Sequence, residues 1–405
     1  MNILMLTNIY PLKDVSSKGL TPVVNYFCEE WVRRGHKVFV VNSTSQFPPY
    51  YYMLPNFMKE LVENKVGFSL PNKHNNREIL TESNGVIVFQ LPYRKMYPGQ
   101  SISSNRLKLQ YEAVVNKLEE YGFVPSVILG HWVNPQLQLI SLLKSTFKDV
   151  KTSLIIHSIP TGAELKILRS EVHCLDYMGF RNKTIKLKTE DILDLTGVKP
   201  FYCYSGVKDY FGKADEDFSY KEFSTSPVKI AFVGNLIKRK FPLTILAAAD
   251  HVSDVDFNIK IIGDGPELKK LRRYNTARHI QLDLLGRLDR QGVYKVLEDS
   301  SIFIMISKNE AFGLVYLEAM LNRNIVIASR GDGFDGIIED GVNGFLCEPG
   351  DGMELSNILK KIIKMSREKL IEIQKESFLT ATKMTDRRMA EAYLNTVAGK
   401  DKLAD

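Results

Sequence analysis

Cysteine is scarce in this chain: four residues in 405, Cys28, Cys174, Cys203 and Cys347, far apart and without paired spacing. That argues against zinc sites and a disulfide framework and favours isolated thiols in a reducing compartment, with the cytosol as the default. Long hydrophobic runs are missing as well. Stretches such as Val38 to Val41 and Ile302 to Ile306 fall far short of the roughly 18 to 20 residues a membrane-crossing helix needs. Neither a basic preamble nor a small-residue cleavage pattern accompanies Ile3-Leu4-Met5-Leu6, so export by signal peptide is not expected. Low-complexity tracts and short-period repeats are absent. The net charge of +7 is a mild excess for this length. It suits an anionic substrate or a membrane surface and makes no case for nucleic acid.

What remains is the composition of a folded globular protein, 44% apolar and 25% charged, long enough for two or three domains. The chain opens as a strand (Asn2 to Thr7), a loop around Gly19, a helix from about Pro22 to Arg34 and a strand from Lys37 to Asn42, a βαβ unit. Near-continuous apolar strands are expected at Gly85 to Phe89, Ser126 to Leu129, Ser153 to Ile156 and Phe201 to Tyr204, because a parallel sheet covered by helices is buried on both faces. After the polar stretch from Lys213 to Ser226 the pattern restarts, with strands at Val228 to Val233, Phe257 to Ile262, Ile280 to Leu285, Ser301 to Ile306 and Asn324 to Ala328. The expectation is an α/β protein of two doubly wound, Rossmann-like domains, residues 1–212 and 213–385, facing a central cleft at their carboxyl strand ends. The segment from Thr44 to Ser83, with Tyr50-Tyr51-Tyr52, Phe57 and Met58, breaks the alternation. It is taken as an inserted loop and helix whose aromatics either pack or face an acceptor or a membrane.

Chemistry-bearing residues gather at the strand exits of the second domain. Val228 to Val233 runs into Gly234-Asn235-Leu236-Ile237-Lys238-Arg239-Lys240, cations just before a helix, a layout that suits a diphosphate; a solvated basic turn would look the same. Gly263-Asp264-Gly265-Pro266 and Leu285-Gly286-Arg287-Leu288 follow two further strands, with glycines that permit close backbone approach to a ligand. Glu310-Ala311-Phe312-Gly313-Leu314-Val315-Tyr316-Leu317-Glu318 follows another. With a helix starting near Gly313, Glu310 lies in the loop and Glu318 more than a turn inside, so the two carboxylates reach different parts of one ligand. The amides of Phe312 to Leu314 favour negative charge. In the first domain His131 and His157 each follow an apolar strand, either at a ligand-bearing edge or as structural histidines, while His36 is expected to end a helix as a favourable cation. The first glycine turn, Lys18-Gly19-Leu20-Thr21, lacks the spacing of a dinucleotide fingerprint, which removes the main support for a dehydrogenase.

These residues resemble the retaining glycosyltransferase family 4, also called group 1 glycosyltransferases, of the two-domain GT-B fold. The likeness covers most of the chain and is most specific in the second domain: Phe232-Val233-Gly234 with Lys240, Gly263-Asp264-Gly265-Pro266, Leu285-Gly286-Arg287-Leu288, the two-glutamate motif, and Ile338-Glu339-Asp340-Gly341-Val342-Asn343-Gly344-Phe345. Arg34-Gly35-His36-Lys37-Val38, Gly130-His131-Trp132 and Ile156-His157-Ser158 match more loosely. The resemblance implies transfer of a sugar, with retention, from a nucleoside diphosphate donor, a UDP-sugar first, to a glycan or lipid-linked saccharide in polysaccharide or glycolipid assembly. It implies no further cofactor. Glu318 would bind the ribose, and Glu310 with Phe312, Gly313 and Leu314 would face sugar and diphosphate. Lys240 would neutralise the diphosphate, and Gly234, Asn235, Arg239 and Gly265 would belong to the donor site. Gly286, Arg287 and Leu288 would meet the base, Gly19 would approach the phosphates, and His157 would stand near the reacting centre. A closing helix, about 386–405, would pack back on the first domain.

Departures are Asn235, where the family usually has arginine, Phe241, where it usually has glycine, and Arg330-Gly331-Asp332-Gly333 in place of a glycine pair. They leave room for a catalytically silent nucleotide-sugar-binding subunit, and the fold also for an epimerase or a phosphorylase. Asp254-Val255-Asp256 and Asp215-Glu216-Asp217 resemble metal-binding pairs but fall at a strand's amino edge and in the linker, so no metal is expected. If the acceptor is lipid-linked, Lys183, Lys186 and Lys188 with Arg33, Arg34 and Lys37 could each add about 1 kcal/mol at an anionic inner leaflet.

Overall fold

The computed structural model describes residues 1–11, 23–55, 58–59, 78–97, 100–208, 220–221 and 226–400. Gly19, Phe57 and Asp215-Glu216-Asp217 lie outside the described residues. The chain divides into one unit of Met1–Phe180, Ile185–Cys203 and Met389–Asp405 and another of Arg181–Thr184 and Tyr204–Arg388, where the sequence places limits at 212 and 385.

The first unit is built on an eight-stranded sheet of β1 (Asn2–Thr7), β2 (Lys37–Gln46), β3 (Ile79–Ser83), β4 (Val86–Arg94), β5 (Val127–His131), β6 (Lys151–Ile156), β7 (Tyr177–Phe180) and β8 (Lys199–Tyr202). The spatial order is β3-β4-β2-β1-β5-β6-β7-β8. All neighbours are parallel except β3 and β4, which are antiparallel. Alternate residues of β1, β2 and β5 serve opposite cores. Leu4, Leu6, Phe39, Val41 and Ile128 meet Val114, Leu118, Leu137 and Ile140 from the helices Ser104–Glu120 and Gln136–Thr146. Ile3, Met5, Val38, Val40 and Leu129 meet Phe27, Trp31 and Tyr393 from the helices Val23–Arg33 and Asp386–Ala398. Burial on both faces is why these strands carry unbroken apolar runs. Trp31 is fully buried and its indole N–H donates to the Ala390 carbonyl at 2.8 Å, tying the closing helix to the sheet; truncating such a residue to alanine costs about 3–5 kcal/mol.

The second unit contains a six-stranded parallel sheet ordered β11-β10-β9-β12-β13-β14. Its strands are β9 (Val228–Val233), β10 (Phe257–Ile262), β11 (Ile280–Gly286), β12 (Ile302–Met305), β13 (Ile325–Ser329) and β14 (Phe345–Cys347). Helix starts follow local chemistry: the Asp289 carboxylate accepts from the Gly292 amide, and that of Asp351 from Met353 and Glu354, satisfying donors a helix leaves open.

Two expectations are corrected. Thr44 to Ser83 is not simply an insertion, since Thr44 to Gln46 prolong β2 and Ile79–Ser83 form β3. The signal for that edge hairpin is Asn84-Gly85, whose φ values of 52° and 77° make the tight left-handed turn this dipeptide favours. Of the aromatics before it, Tyr51 is buried against Phe47 and Tyr50 is exposed. His36 is no helix-ending cation: its Nδ1 lies 3.1 Å from the Met1 amine, and burial, then that positive charge, push its pKa down. The short strands β7 and β14 are not legible in the sequence, because four and three residues carry too little periodicity.

Candidate active site

In an open parallel sheet a ligand binds beyond the carboxyl strand ends, where the winding reverses. In the second unit that point falls between β9 and β12. The two chains leaving it are Gly234 to Lys240 and Ile306 to Gly313, the basic turn and the first half of the two-glutamate motif.

These exits are bound to each other. Lys240 Nζ lies 3.2 Å from Glu310 Oε2 and 3.4 Å from Met305 Sδ, and both charged side chains are mostly buried. The Arg239 guanidinium stands 3.8 Å from the same Glu310 oxygen and donates to the carbonyls of Lys308 and Asn309, each at 3.2 Å. The Lys308 amide returns a bond to the Arg239 carbonyl at 2.8 Å. Arg239 thus staples the two loops, and Lys240 is the cation that faces the carboxylate.

Phe241, where the family usually has glycine, adopts φ 48° and ψ 44°, the left-handed conformation that glycine takes without strain. The substitution keeps the turn and accepts a cost of about 1–2 kcal/mol. Pro242 then begins the helix Pro242–Asp250, its fixed φ suiting a first helical position. Asn235 is exposed.

Gly265 packs closely against the β9 exit. A Cβ there would stand 2.5 Å from the Leu236 carbonyl oxygen, and one on Gly263 would stand 1.8 Å from that of Gly234. These glycines let the β10 exit pack on the β9 exit, and the Gly263 amide meanwhile donates to Gly286 at 2.7 Å. Close approach is to a neighbouring chain segment.

The Glu310 loop is held on every side. Asn182, buried, donates its amide to the carbonyls of Glu310 and Ala311 at 3.1 and 3.0 Å, and the Gly333 amide donates to Glu310 at 2.9 Å. The Phe312 side chain is buried between Phe334 and Tyr204, with the Arg181 guanidinium 4.9 Å from its ring centre. What Phe312 leaves to a ligand is its backbone. Gly313, at φ 86°, caps the helix Leu314–Leu321. Asp332 sits beside this loop, accepting from the Gly333 amide at 3.1 Å; burial pushes its carboxyl up, against the backbone amides of Glu310, Gly333 and Asn309. Gly331, Gly333 and Gly336 have the dinucleotide spacing and positive φ, but they lead into a bridge between Asp335 and Ile338 rather than a helix, so no dinucleotide turn forms.

Glu318, at the fifth position of its helix, is kept apart from this cluster. Its Oε1 accepts from Arg290 at 2.9 Å. Burial raises its pKa, and Arg290 pulls it back down. Arg287 and Leu288, leaving β11, are exposed. Sequence inspection missed Asn182, Arg290 and Asp332, because nothing local says what each will face.

In the first unit the winding reverses between β1 and β5. His131 ends β5 and is fully buried, and its Nδ1 lies 3.0 Å from His157 Nε2, just beyond β6. Trp132, at a strained φ of 66°, stacks on His157 with ring centres 4.1 Å apart and planes within 10°. The two histidines thus form one hydrogen-bonded pair. Asp254-Val255-Asp256 precedes β10 at its amino edge, where Asp256 accepts from Ser226 at 3.3 Å. Among the described residues no cluster of metal-ligating side chains forms and no helix is long and apolar enough to cross a membrane.

Known proteins resemble this chain in sequence and in fold. Residues 213–377 match the family model for Glycosyl transferases group 1. An uncharacterized glycosyltransferase of Methanocaldococcus jannaschii, MJ1178, is 27% identical over 295 residues, 70% of this chain and 76% of that protein. The N-acetyl-alpha-D-glucosaminyl L-malate synthase of Bacillus anthracis is 29% identical over 170 residues, 41% of this chain and 44% of the enzyme. In fold the chain is similar to Anabaena HepE in complex with UDP, with a TM-score of 0.66 and 16% identity, over 98% of this chain and all of that one. It is likewise similar to the sucrose-phosphate synthase of Thermosynechococcus elongatus, with a TM-score of 0.68 and 16% identity, over 98% and 100% of the two chains.

Proposed function

The chain belongs to the group 1 glycosyltransferases, and on that premise we propose that it transfers a sugar, with retention at the anomeric carbon, from a nucleoside diphosphate donor to a saccharide acceptor. The observation that carries this is the approach of Lys240 Nζ to Glu310 Oε2, 3.2 Å, at the winding reversal of the second sheet. Here the cation and the amides of Phe312 to Leu314 would stabilise the charge that builds on the leaving diphosphate. Glu310 would orient the sugar and Glu318 the ribose. The anomeric carbon–oxygen bond to the diphosphate breaks, the acceptor oxygen bonds to the same face, and the acceptor's proton passes to the departing diphosphate. The second unit takes the donor and the first the acceptor, with His157 supporting the sugar. HepE, similar in fold, has been crystallised with UDP and with UDP-glucose, which makes a UDP-sugar the first donor to try. A glycan or lipid-linked saccharide is the acceptor class proposed, in surface polysaccharide or glycolipid assembly at the inner face of the membrane.

The test is incubation of the full chain with a panel of nucleotide sugars and saccharide acceptors, following nucleoside diphosphate release and product linkage, with and without EDTA. Transfer that survives chelation and yields a product of the donor's anomeric configuration is expected. Nucleotide binding without any transfer would favour a silent partner subunit, and an epimerised donor or phosphorolysis would point to the other chemistries of this fold.

A further inference from the structure

Arg290 opens the helix Arg290–Asp299, and Glu318 lies on the helix Leu314–Leu321 packed beside it. Arg290 is partly exposed at 35% and Glu318 mostly buried at 21%, their facing atoms 2.9 Å apart. Behind them the two helices enclose a hollow walled by Val293, Tyr294, Leu297 and Leu321. A carboxylate against such a wall loses hydration, which is why burial raises its pKa. Charged side chains elsewhere on the packed elements include Lys295 and Glu298 on the Arg290 helix, and Glu372, Lys375 and Glu376 on the helix Arg367–Thr382. Among the described residues Arg290 is the charged group acting on Glu318.

Resting on the assignment of Glu318 to the donor's ribose, we propose that Arg290 is a positioning residue for nucleoside recognition, whose guanidinium at Glu318 Oε1 holds the carboxylate oriented to accept from two adjacent ribose hydroxyls. The ionised carboxylate accepts from both hydroxyls through charge-assisted bonds, and protonation weakens those bonds. Arg290 thereby sets the preference for ribose over deoxyribose without itself touching the sugar. The sign of the pH effect follows. Arg290 lowers a carboxyl pKa that burial raises, so its removal moves protonation to higher pH, and ribonucleotide affinity then falls as pH drops through that raised value.

The experiment is calorimetric titration of UDP and 2′-deoxy-UDP, or the GDP pair where UDP does not bind, into the full native chain and its R290K, R290Q, R290M and E318Q variants across pH 6 to 9. The native chain is expected to prefer the ribonucleotide. R290M and R290Q should lose about tenfold of that preference, the order of one charge-assisted hydrogen bond, with the larger loss towards the acid end of the range. R290K should keep most of it. A native ribose-to-deoxyribose ratio at every pH in R290Q and R290M overturns the proposal. If E318Q keeps the native ratio, the assignment of Glu318 to the ribose fails instead, and if neither nucleotide binds the native chain, the donor itself has been misassigned. Equal melting temperatures in the arginine variants exclude a folding defect, and should R290M not fold, the ratio measured on R290Q decides the matter alone.

Discussion

Lys240 Nζ and Glu310 Oε2 stand 3.2 Å apart across the winding reversal of the second sheet, and a Cβ on Gly234 would come within 3.1 Å of that same nitrogen. The lysine is therefore confined between the turn that precedes it and the carboxylate it faces.

Because the pair works as a unit, K240A and E310Q are each expected to lower turnover by about 100-fold or more, the usual effect of removing one preorganised group at developing charge. The double variant should be little worse than the poorer single one. Steady-state kinetics on the four proteins check this, and additive losses would show that the residues act separately.

Gly263 should tolerate no side chain. At φ 142°, with the Gly234 carbonyl 1.8 Å from a Cβ, alanine forces the β10 exit off the β9 exit. The expected loss is about 3 kcal/mol or more, read as a lowered midpoint in urea. A midpoint within experimental error of the native chain would contradict the packing role given to this glycine.

Lys221 donates to the carbonyls of Leu297 and Ser300, both at 2.6 Å, and burial pulls its pKa down to about 7. Between about 7 and the ordinary 10.5 the unfolded chain binds more protons at this site than the folded one, so the site's contribution to stability rises with pH over that window. Below it the cost of burying the charge is fully present. K221M should abolish this part of the pH dependence and fold well, because Asn324 also donates to both carbonyls, at 3.1 and 2.5 Å. Thermal melts of both proteins from pH 6 to 10 test it; parallel curves count against a titrating Lys221.

Trp132 presses its indole on His157 with 4.1 Å between ring centres. W132A frees one face of the imidazole, and turnover is expected to fall about tenfold through lost orientation. Affinity for UDP should stay native, because UDP lacks the sugar that His157 is proposed to support. A change in UDP affinity with native turnover would remove His157 from the chemistry.

Much of this protein is determined by its sequence alone. Val228 to Val233 and Phe257 to Ile262 are legible to the residue, because their apolar residues recur at every second position and run together towards the strand exit. The order of glycine turns, basic turn and paired glutamates is equally local, and it carries the family. Tertiary structure decided the rest. Arg239 and Lys240 are neighbours in the chain, yet one staples two loops while the other faces Glu310; Gly265 packs on Leu236; Arg290 and Asn182 reach Glu318 and the Glu310 loop. Such pairings depend on which strand exits the sheet brings side by side and how their side chains then turn, and neither leaves a periodic trace in the residues themselves.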